Sequence, residues 1–582
     1  MDFRFEVLRG TNALRSAAVL TLTAALAACG GGSSEIGSNQ DSSQNLQTKQ
    51  ETAVATVTRA DAQRLLEQAT FGPTEADIAN VQRLGIKGWI AAQIATPATG
   101  YKGTYYVNPG SGVACNKEVN VVKYETDALK LKNCARDIFT PAAVQRQFFT
   151  NAVSGKDQLR QRVAFALSQI LVTSGYEAYA QADYQNMLLN HAFDTYSNLM
   201  LTTTLHPTMG DWLDMVNNDK PNAAKGIQAN ENYAREFLQL FTTGTSQLNY
   251  DGSVKLDAHG KPLPVYTQAQ VTAMARAFTG WTYPAAPGGK VTWQGTVVHA
   301  GQMVAIEAHH DTDAKVVLGG YKIAAGGSAL SDVKAAVNAA TSYPSVAPFI
   351  GKQLIQKLVT SNPTPAYVSR VSAVWNNDGA GVRGNLAAVV TAILTDPEAR
   401  GDVKTASSYG RLREPTQYMI SLMRTLGGTT DGMGPNYWSG QQGEAVFMSP
   451  SVFNFYSPAY VAPGTSVNGP EFGVLNTASQ INRSNYAVQM FFLGGVGADA
   501  SITNSIGTHI DLTKFGALTD RSAAVDKFND LLLHGSLSAA GKAAIMRYLN
   551  MYSDAQIKAH PTMLASYCVY LISTSPQYEI QK

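Results

Sequence analysis

From residue 58 to the C-terminus, the apolar residues recur mainly at the spacing of an α-helix. In "TRADAQRLLEQATFG" they occupy Ala62, Leu65, Leu66 and Ala69, which is the pattern of one buried helical face. Thr58, with Asp61 three residues later, is placed to cap that helix. The same periodicity runs through 74–84, 141–203, 230–243, 267–279, 331–340, 346–360, 365–375, 383–396, 415–426, 477–493, 520–533, 537–549 and 553–574. The pattern predicts a mainly α fold, a large multi-helix globular domain over residues 58–582.

Signals for β-structure are few. Residues 247–267 alternate and contain Asp-Gly and His-Gly turns, so they predict a β-hairpin. The segments 290–300 and 315–323 predict a second, minor sheet. A stretch rich in Gly, Ala and Pro over 285–345 leaves open a division into two helical lobes.

The N-terminus has the features of an export signal. A basic start is followed by the apolar run Ser16–Ala28 and then by "LAAC", in which small residues precede Cys29. This arrangement resembles a bacterial lipobox, so residues 1–28 are predicted to be a signal peptide and Cys29 the lipidated residue. Residues 29–57, rich in Ser, Gln and Gly, predict a flexible tether. Gly30 after the cysteine favours the outer membrane of the cell envelope, where only the lipid would contact the bilayer.

Net charge excludes one broad class of partner. The chain carries a formal charge of +2, and only 15% of its residues are charged. It therefore has no basic face of the kind that binds nucleic acid. No segment after the signal reaches eighteen consecutive apolar residues, so no further membrane insertion is expected.

Three cysteines remain once Cys29 is assigned to lipid. Cys115 and Cys134 lie in a polar stretch, and export to an oxidising compartment predicts a disulfide between them. Cys568, in "LASYCVYLIS", is expected to be a free thiol buried in the core.

Several motifs, in order, resemble those of the bacterial family known as domain of unknown function 1800. They are "RLLEQATFGPTEADIANVQRLG", "NENYAREFLQLFTTG", "YTQAQVTAMARAFTGW", "HHDTDAKVVLGG" and "LREPTQYMISLMRTLG". The resemblance implies a mostly helical exported protein that works near another exported protein, but it implies no particular reaction. Where many members carry a Trp- and Gly-rich segment, this chain has "SPSVFNFYSP", residues 449–458.

Two of these motifs are dense in polar side chains. Glu231 and Arg235 are four residues apart on one predicted helix, with Glu236 beside them, so they can pair with each other or tie helices together. In the second motif, His309, His310 and Asp311 place imidazole and carboxylate groups close together in the sequence. Such groups suit zinc, iron or manganese, so a divalent metal ion is a candidate cofactor. The candidate metal ligands are His309, His310, Asp311 and Glu236.

The competing interpretation of these motifs is structural. Adjacent histidines on a strand point to opposite faces, and Lys315 would compete with a metal for the carboxylates. A hydrogen-bonded knot that pins the loop is therefore the alternative. The helix after Thr267, with Gln270 as its capping partner and Arg276 as a further charge, would bring both motifs to one side of the core. The candidate catalytic residues are Glu231, Arg235, Glu236, His309, His310 and Asp311.

Two classes of function follow. The first is an envelope lipoprotein that binds or scaffolds a co-exported protein or an envelope polymer. Its contact surface would be the aromatic stretch 434–460, unless those rings simply pack a loop onto the core. The second is an extracytoplasmic hydrolase, metal-dependent through the His309 and Glu236 motifs. The sequence lacks the G-x-S-x-G, H-E-x-x-H, paired C-x-x-C, P-loop and Rossmann motifs, so whether the protein is an enzyme stays open.

Overall fold

Helices dominate the computed structural model, which describes residues 57–103 and 128–582. The predicted signal peptide, Cys29, the tether up to residue 56, and Cys115 lie outside the described residues. The helices of the first half are α1 Arg59–Ala69, α2 Glu75–Ala95, α3 Ala128–Phe139, α4 Ala142–Ser154, α5 Gln158–Ser168, α6 Ala178–Asn190, α7 Tyr196–Leu205, α8 Pro207–Trp212, α9 Asn232–Gln239 and α10 Gln268–Ala277. Those of the second half are α11 Ala329–Thr341, α12 Val346–Leu358, α13 Pro365–Asn376, α14 Leu386–Thr395, α15 Pro415–Thr425, α16 Met433–Gln441, α17 Thr477–Phe491, α18 Arg521–Leu533, α19 Ala539–Leu549, α20 Asp554–Ala559, α21 Met563–Ser573 and α22 Pro576–Glu579. The prediction of a mainly α fold is confirmed.

Local capping signals fix several helix starts. The Thr58 side chain accepts a hydrogen bond from the amide of Asp61, and Thr74 caps α2 in the same way. Thr267 and Gln270 form the predicted capping box of α10. Within the range of α2, Gly85 has a φ of 72° and separates two helical segments, so the first segment ends where the periodicity over 74–84 ends.

The β-structure consists of short antiparallel pairs. Strands β1 Trp281–Thr282 and β2 Val304–Ala305 pair, as do β3 Lys315–Val316 and β4 Lys322–Ile323, β5 Arg411–Leu412 and β8 Ile580–Gln581, and β6 Thr429–Thr430 and β7 Thr508–His509. The predicted hairpin appears as isolated antiparallel bridges that pair Ser246 with Pro264, Leu248 with Val254 and Leu256 with Pro262.

The prediction of a second, minor sheet was correct for one of its two segments. Residues 315–323 pair with each other as β3 and β4, as expected. Residues 290–300 contain no strand, and the partner of β1 lies further along the chain at β2. A tight turn from Thr292 to Gly295, with Gln294 at a φ of 54°, interrupts the extended conformation that a strand would need.

One hydrophobic core runs from α1 to the C-terminal helices. Trp89, Tyr184, Tyr367, Trp375 and Tyr486 are among its largest fully buried side chains. Residues 56–582 form one unit, so the two lobes left open by the sequence are not present. None of the helices described here is long and apolar enough to cross a membrane.

Two of the cysteines, Cys568 and Cys134, lie in the described part of the chain. Cys568 is a free, buried thiol, as predicted, and burial raises its pKa to about 12. Cys134 is buried in α3. Because Cys115 lies outside the described residues, its pairing with Cys134 stays a prediction.

Candidate functional site

The first predicted motif forms a polar network between α9 and α10. Arg235 donates to Glu231 over 2.9 Å, which is the predicted pair four residues apart. Thr272 and Gln268 of α10 also donate to the Glu231 carboxylate, over 2.6 and 2.7 Å. Glu236 is half-buried, and burial raises the pKa of its carboxyl. The network ties two neighbouring helices, as the structural interpretation predicts.

The two adjacent histidines of the second motif diverge. His309 is partly exposed, stacks on Trp293 with ring centroids 3.9 Å apart, and lies 3.0 Å from the carboxylate of Asp219. His310 is fully buried, and its Nδ1 lies 3.0 Å from the carbonyl of Thr279. They therefore enter different surroundings, although His309 ends a short 3-10 turn, Glu307–His309, rather than lying in a strand as the prediction assumed.

A lysine occupies the cationic position between the carboxylates of this motif. The buried Lys315 ammonium donates to Asp332 over 2.8 Å and to the backbone carbonyls of Asp311 and Asp313. Asp311 in turn receives two bonds from Arg276, of 2.7 and 2.9 Å. Within the described chain, no three His, Cys, Asp or Glu side chains are arranged to hold a metal ion. The donor set thus fits an internal lysine rather than a metal.

The predicted helix α10 does lie between the two motifs. Glu231 contacts Thr272, and Asp311 contacts Arg276 one turn later on the same helix. Among the residues described, however, no hydrogen bond or ion pair joins Glu231, Arg235 or Glu236 directly to the histidine loop. Glu231 and the histidine loop each bond to partners of their own, whereas Oε2 of Glu236 is buried and has no hydrogen-bond partner within the described chain.

A more densely charged group lies elsewhere, in the core between α5, α12 and α15. We call it the Glu414 centre, and its members are Arg162, Lys357, Arg411, Glu414, Glu444, Tyr456 and Glu471. All seven side chains are buried, which is costly for charged groups unless they pair with one another.

Glu414 is the anion at the middle of this centre. It precedes Pro415 at the start of α15, where the helix dipole favours a negative charge. Arg411 donates to Glu414 over 3.2 Å, and the Tyr456 hydroxyl donates to it over 2.5 Å. Burial favours the neutral acid, but Arg411, Arg162 and Lys357 outweigh it and hold the pKa of Glu414 well below its usual range.

Glu444 is the second carboxyl of the pair and has the opposite tendency. It accepts a bond of 2.9 Å from the backbone amide of Thr416 and lies next to Glu414. Burial, followed by the charge of Glu414, raises the pKa of Glu444 well above its ordinary value. The two carboxyls therefore have opposite tendencies: Glu414 is held as the anion, and Glu444 favours the neutral acid.

The remaining contacts of the centre involve Arg411, Arg162 and Lys357. Arg411 also pairs with Glu471 at 2.9 Å, and Arg162 donates to the carbonyl of Lys357 over 2.6 Å. Burial lowers the pKa of Lys357 to about 8, and its ammonium lies 4.2 Å from the ring centre of Tyr456. The centre ties β5, α15, the segment after α16 and the loop containing Tyr456 into one rigid unit.

A third ionised cluster surrounds His299. Its Nδ1 lies 3.1 Å from Glu177 and its Nε2 lies 3.5 Å from Asp211. The hydroxyl groups of Tyr176 and Tyr283 both donate to Asp211. Burial opposes the charge on His299, but hydrogen bonds and charges from the two carboxylates outweigh it and raise its pKa to about 9.

The aromatic stretch 434–460 divides between core and surface. Phe447 and Tyr456 are buried, so the packing interpretation holds for them. Tyr437, Phe453 and Tyr460 are between 38% and 54% exposed. The stretch therefore has buried residues, among them Tyr456 of the Glu414 centre, and three exposed aromatic residues.

The Glu414 centre was not predicted from the sequence. Its members come from six separate places in the sequence, and single-sequence patterns do not report long-range pairing. The one local signal was "RLREP", where three charged residues directly precede a proline and an apolar helix in a chain of low charge.

Comparison with known proteins gives one match. Residues 64–580, nearly the whole chain, match the family described as "Protein of unknown function (DUF1800)". No curated protein and no solved structure matches the chain. The family match covers the capped helices, both polar motifs and the Glu414 centre, and the chain belongs to the DUF1800 family.

Proposed function

We propose that this protein is an exported lipoprotein that binds a partner in the cell envelope through the exposed aromatic side of residues 434–460. Lipid on Cys29 would anchor it, in the outer membrane, and residues 29–57 would tether the folded domain to that anchor. The partner is a co-exported protein or an envelope polymer.

The exposed side chains of Tyr437, Phe453 and Tyr460 carry this proposal. Exposed tyrosine and phenylalanine combine a large apolar area with low conformational entropy, which is why such residues are enriched at binding surfaces. Two buried contacts, from Tyr456 to Glu414 and from the Thr416 amide to Glu444, fix the segment that carries these rings. The rings therefore lie on an ordered segment rather than on a free loop.

The polar clusters support binding over metal-dependent hydrolysis. Lys315 satisfies the carboxylates that a metal would need, and Glu231 is satisfied by α10. In the Glu414 centre, Arg411 pairs with both Glu414 and Glu471 inside the core. These clusters account for the rigidity of the domain.

Anchoring is tested by the Cys29→Ser variant. We expect it to lose metabolic labelling with fatty acid and to move from the membrane fraction to the soluble fraction. Unchanged labelling and retention would contradict the anchoring part of the proposal.

Binding is tested with the soluble Cys29→Ser protein and isolated envelope fragments, with and without protease treatment. A triple variant, Tyr437→Ala, Phe453→Ala and Tyr460→Ala, should sediment less with the fragments. The matched control carries Tyr250→Ala and Tyr321→Ala, two tyrosines that are also exposed but lie outside 434–460. Equal loss in both variants, or in neither, would refute the surface; protease sensitivity of the fragments separates a protein partner from a polymer.

A further inference from the structure

A small cavity lies directly beside the Glu414 centre. Its apolar walls are Phe165, Val172, Phe447 and Phe455, and its volume is about 20 Å³, which is room for a group the size of one water molecule. Four of its polar lining residues are each more than nine-tenths buried, namely Gln169, Thr173, Ser449 and Asn454. Every residue that lines it is uncharged.

These four polar residues have unused hydrogen-bonding capacity. The hydroxyl oxygens of Thr173 and Ser449 and the amide nitrogen of Asn454 have no partner within the described chain. The amide nitrogen of Gln169 donates to Glu414 over 2.8 Å, which leaves its oxygen Oε1 as an acceptor without a partner. Buried polar atoms without partners are costly, so four around one cavity indicate a site that receives a polar group.

The backbone of the cavity wall is strained and held in place. Phe447 has a φ of 63° and Asn454 also has a φ of 63°, and this left-handed region is unfavourable for a bulky residue. The Ser174 hydroxyl donates to the carbonyl of Ser449 over 2.7 Å, and the Gly175 amide donates to that of Phe447 over 3.1 Å. Such strain concentrates at ligand sites.

We propose that this cavity binds a hydroxyl group of a neutral glycan, and this inference rests on the proposed function because it names the polymer. A hydroxyl both donates and accepts, which matches two hydroxyls, one free donor and one free acceptor. The uncharged lining excludes an ionic group, whose burial would be uncompensated. Phe453, next to Asn454 in the chain and exposed, supplies an aromatic face for the sugar ring.

The test is titration calorimetry of the Cys29→Ser protein with cellohexaose, maltohexaose and N-acetylchitohexaose, and with oligogalacturonate as the charged probe. We expect a neutral oligosaccharide to bind and oligogalacturonate not to bind. Thr173→Val and Ser449→Ala, which remove a hydroxyl at nearly constant volume, should each raise the Kd about five- to tenfold.

The matched control is Ser372→Ala, because Ser372 is fully buried in α13 and its hydroxyl also has no partner in the described chain, but it does not line the cavity. Its Kd should equal that of the parent protein. Failure of all three neutral probes to bind, preferential binding of the charged probe, or equal Kd values in every variant would overturn the inference. If envelope fragments still bind through Tyr437 and Tyr460 in that case, the proposed function stands and only the glycan assignment fails.

Discussion

Replacing Glu444 by glutamine tests the protonation of Glu444 in the buried carboxyl pair. The Glu444 carboxyl accepts from the Thr416 amide, and Gln169 donates to Glu414 beside it. A glutamine has the shape of a protonated glutamic acid and can donate an N–H to Glu414 where the acid donates its proton. The Glu444→Gln protein should therefore fold with its contacts retained.

The magnitude follows from proton linkage. The folded state keeps the Glu444 proton above its ordinary pKa of 4.5, whereas the unfolded chain releases it. A group with a raised folded pKa contributes full stability below the unfolded pKa, and that contribution is lost as pH rises toward the folded pKa, at about 1.4 kcal/mol per pH unit. Between about pH 5.5 and about pH 7.5, the parent should therefore lose unfolding free energy that Glu444→Gln does not lose, because only the parent must keep a raised-pKa carboxyl neutral in the folded state.

Urea unfolding of both proteins at the two pH values measures this difference. The contrasting variant is Glu414→Gln, which removes the anion facing Arg411 and should cost about 3–5 kcal/mol at either pH because it leaves buried cations uncompensated. Identical pH dependence in the parent and Glu444→Gln would refute the assignment of the proton to Glu444. So would a loss in Glu444→Gln as large as that in Glu414→Gln.

Three further outcomes follow from the other clusters. The folded pKa of His299 is raised to about 9, so the charged imidazole stabilises the folded state below pH 6.5, and this stabilisation is lost as pH rises to about 9. It amounts to about 2 kcal/mol of unfolding free energy after allowing for the solvent exposure of Asp211. Unfolding of the parent and of His299→Gln across that pH window checks it. Lys315→Met should cost about 3–5 kcal/mol of unfolding free energy, and adding Asp332→Asn should restore part of it, whereas unchanged stability in the single variant would refute the internal-cation role. Cys568 should resist iodoacetamide until the protein is unfolded, which peptide mapping by mass spectrometry detects; rapid alkylation in the native state would contradict its burial.

Features governed by neighbouring residues were predictable from the sequence. The caps at Thr58 and Thr267 depend on residues three positions apart, and they appear as predicted. The Glu231–Arg235 pair and the contact of Lys315 with Asp311 are also short-range effects, and both are present. Helical periodicity gave the fold class for the same reason.

Features that depend on tertiary contacts were not predictable. Asp332, the main partner of Lys315, lies in α11 and carries no local signal of that role. Glu444 and Glu414 belong to different segments of the sequence, and only packing brings the two carboxyls together. The strand predicted over 290–300 is absent because a turn at Gln294 interrupts it, and β1 pairs with β2 instead. The positive φ of this turn is not predictable from a glutamine residue.

The segment 449–458 offers a last test, at Asn454. Its φ of 63° is one that Asn tolerates, that Gly adopts freely and that Ala adopts at a cost of about 1–2 kcal/mol. Both Asn454→Gly and Asn454→Ala remove the unpartnered donor Nδ2. If the donor serves the ligand, both variants should weaken oligosaccharide binding about equally, while only Asn454→Ala lowers the unfolding free energy by that amount. Binding that instead follows stability, with Asn454→Gly unaffected, would show that Asn454 serves the backbone alone.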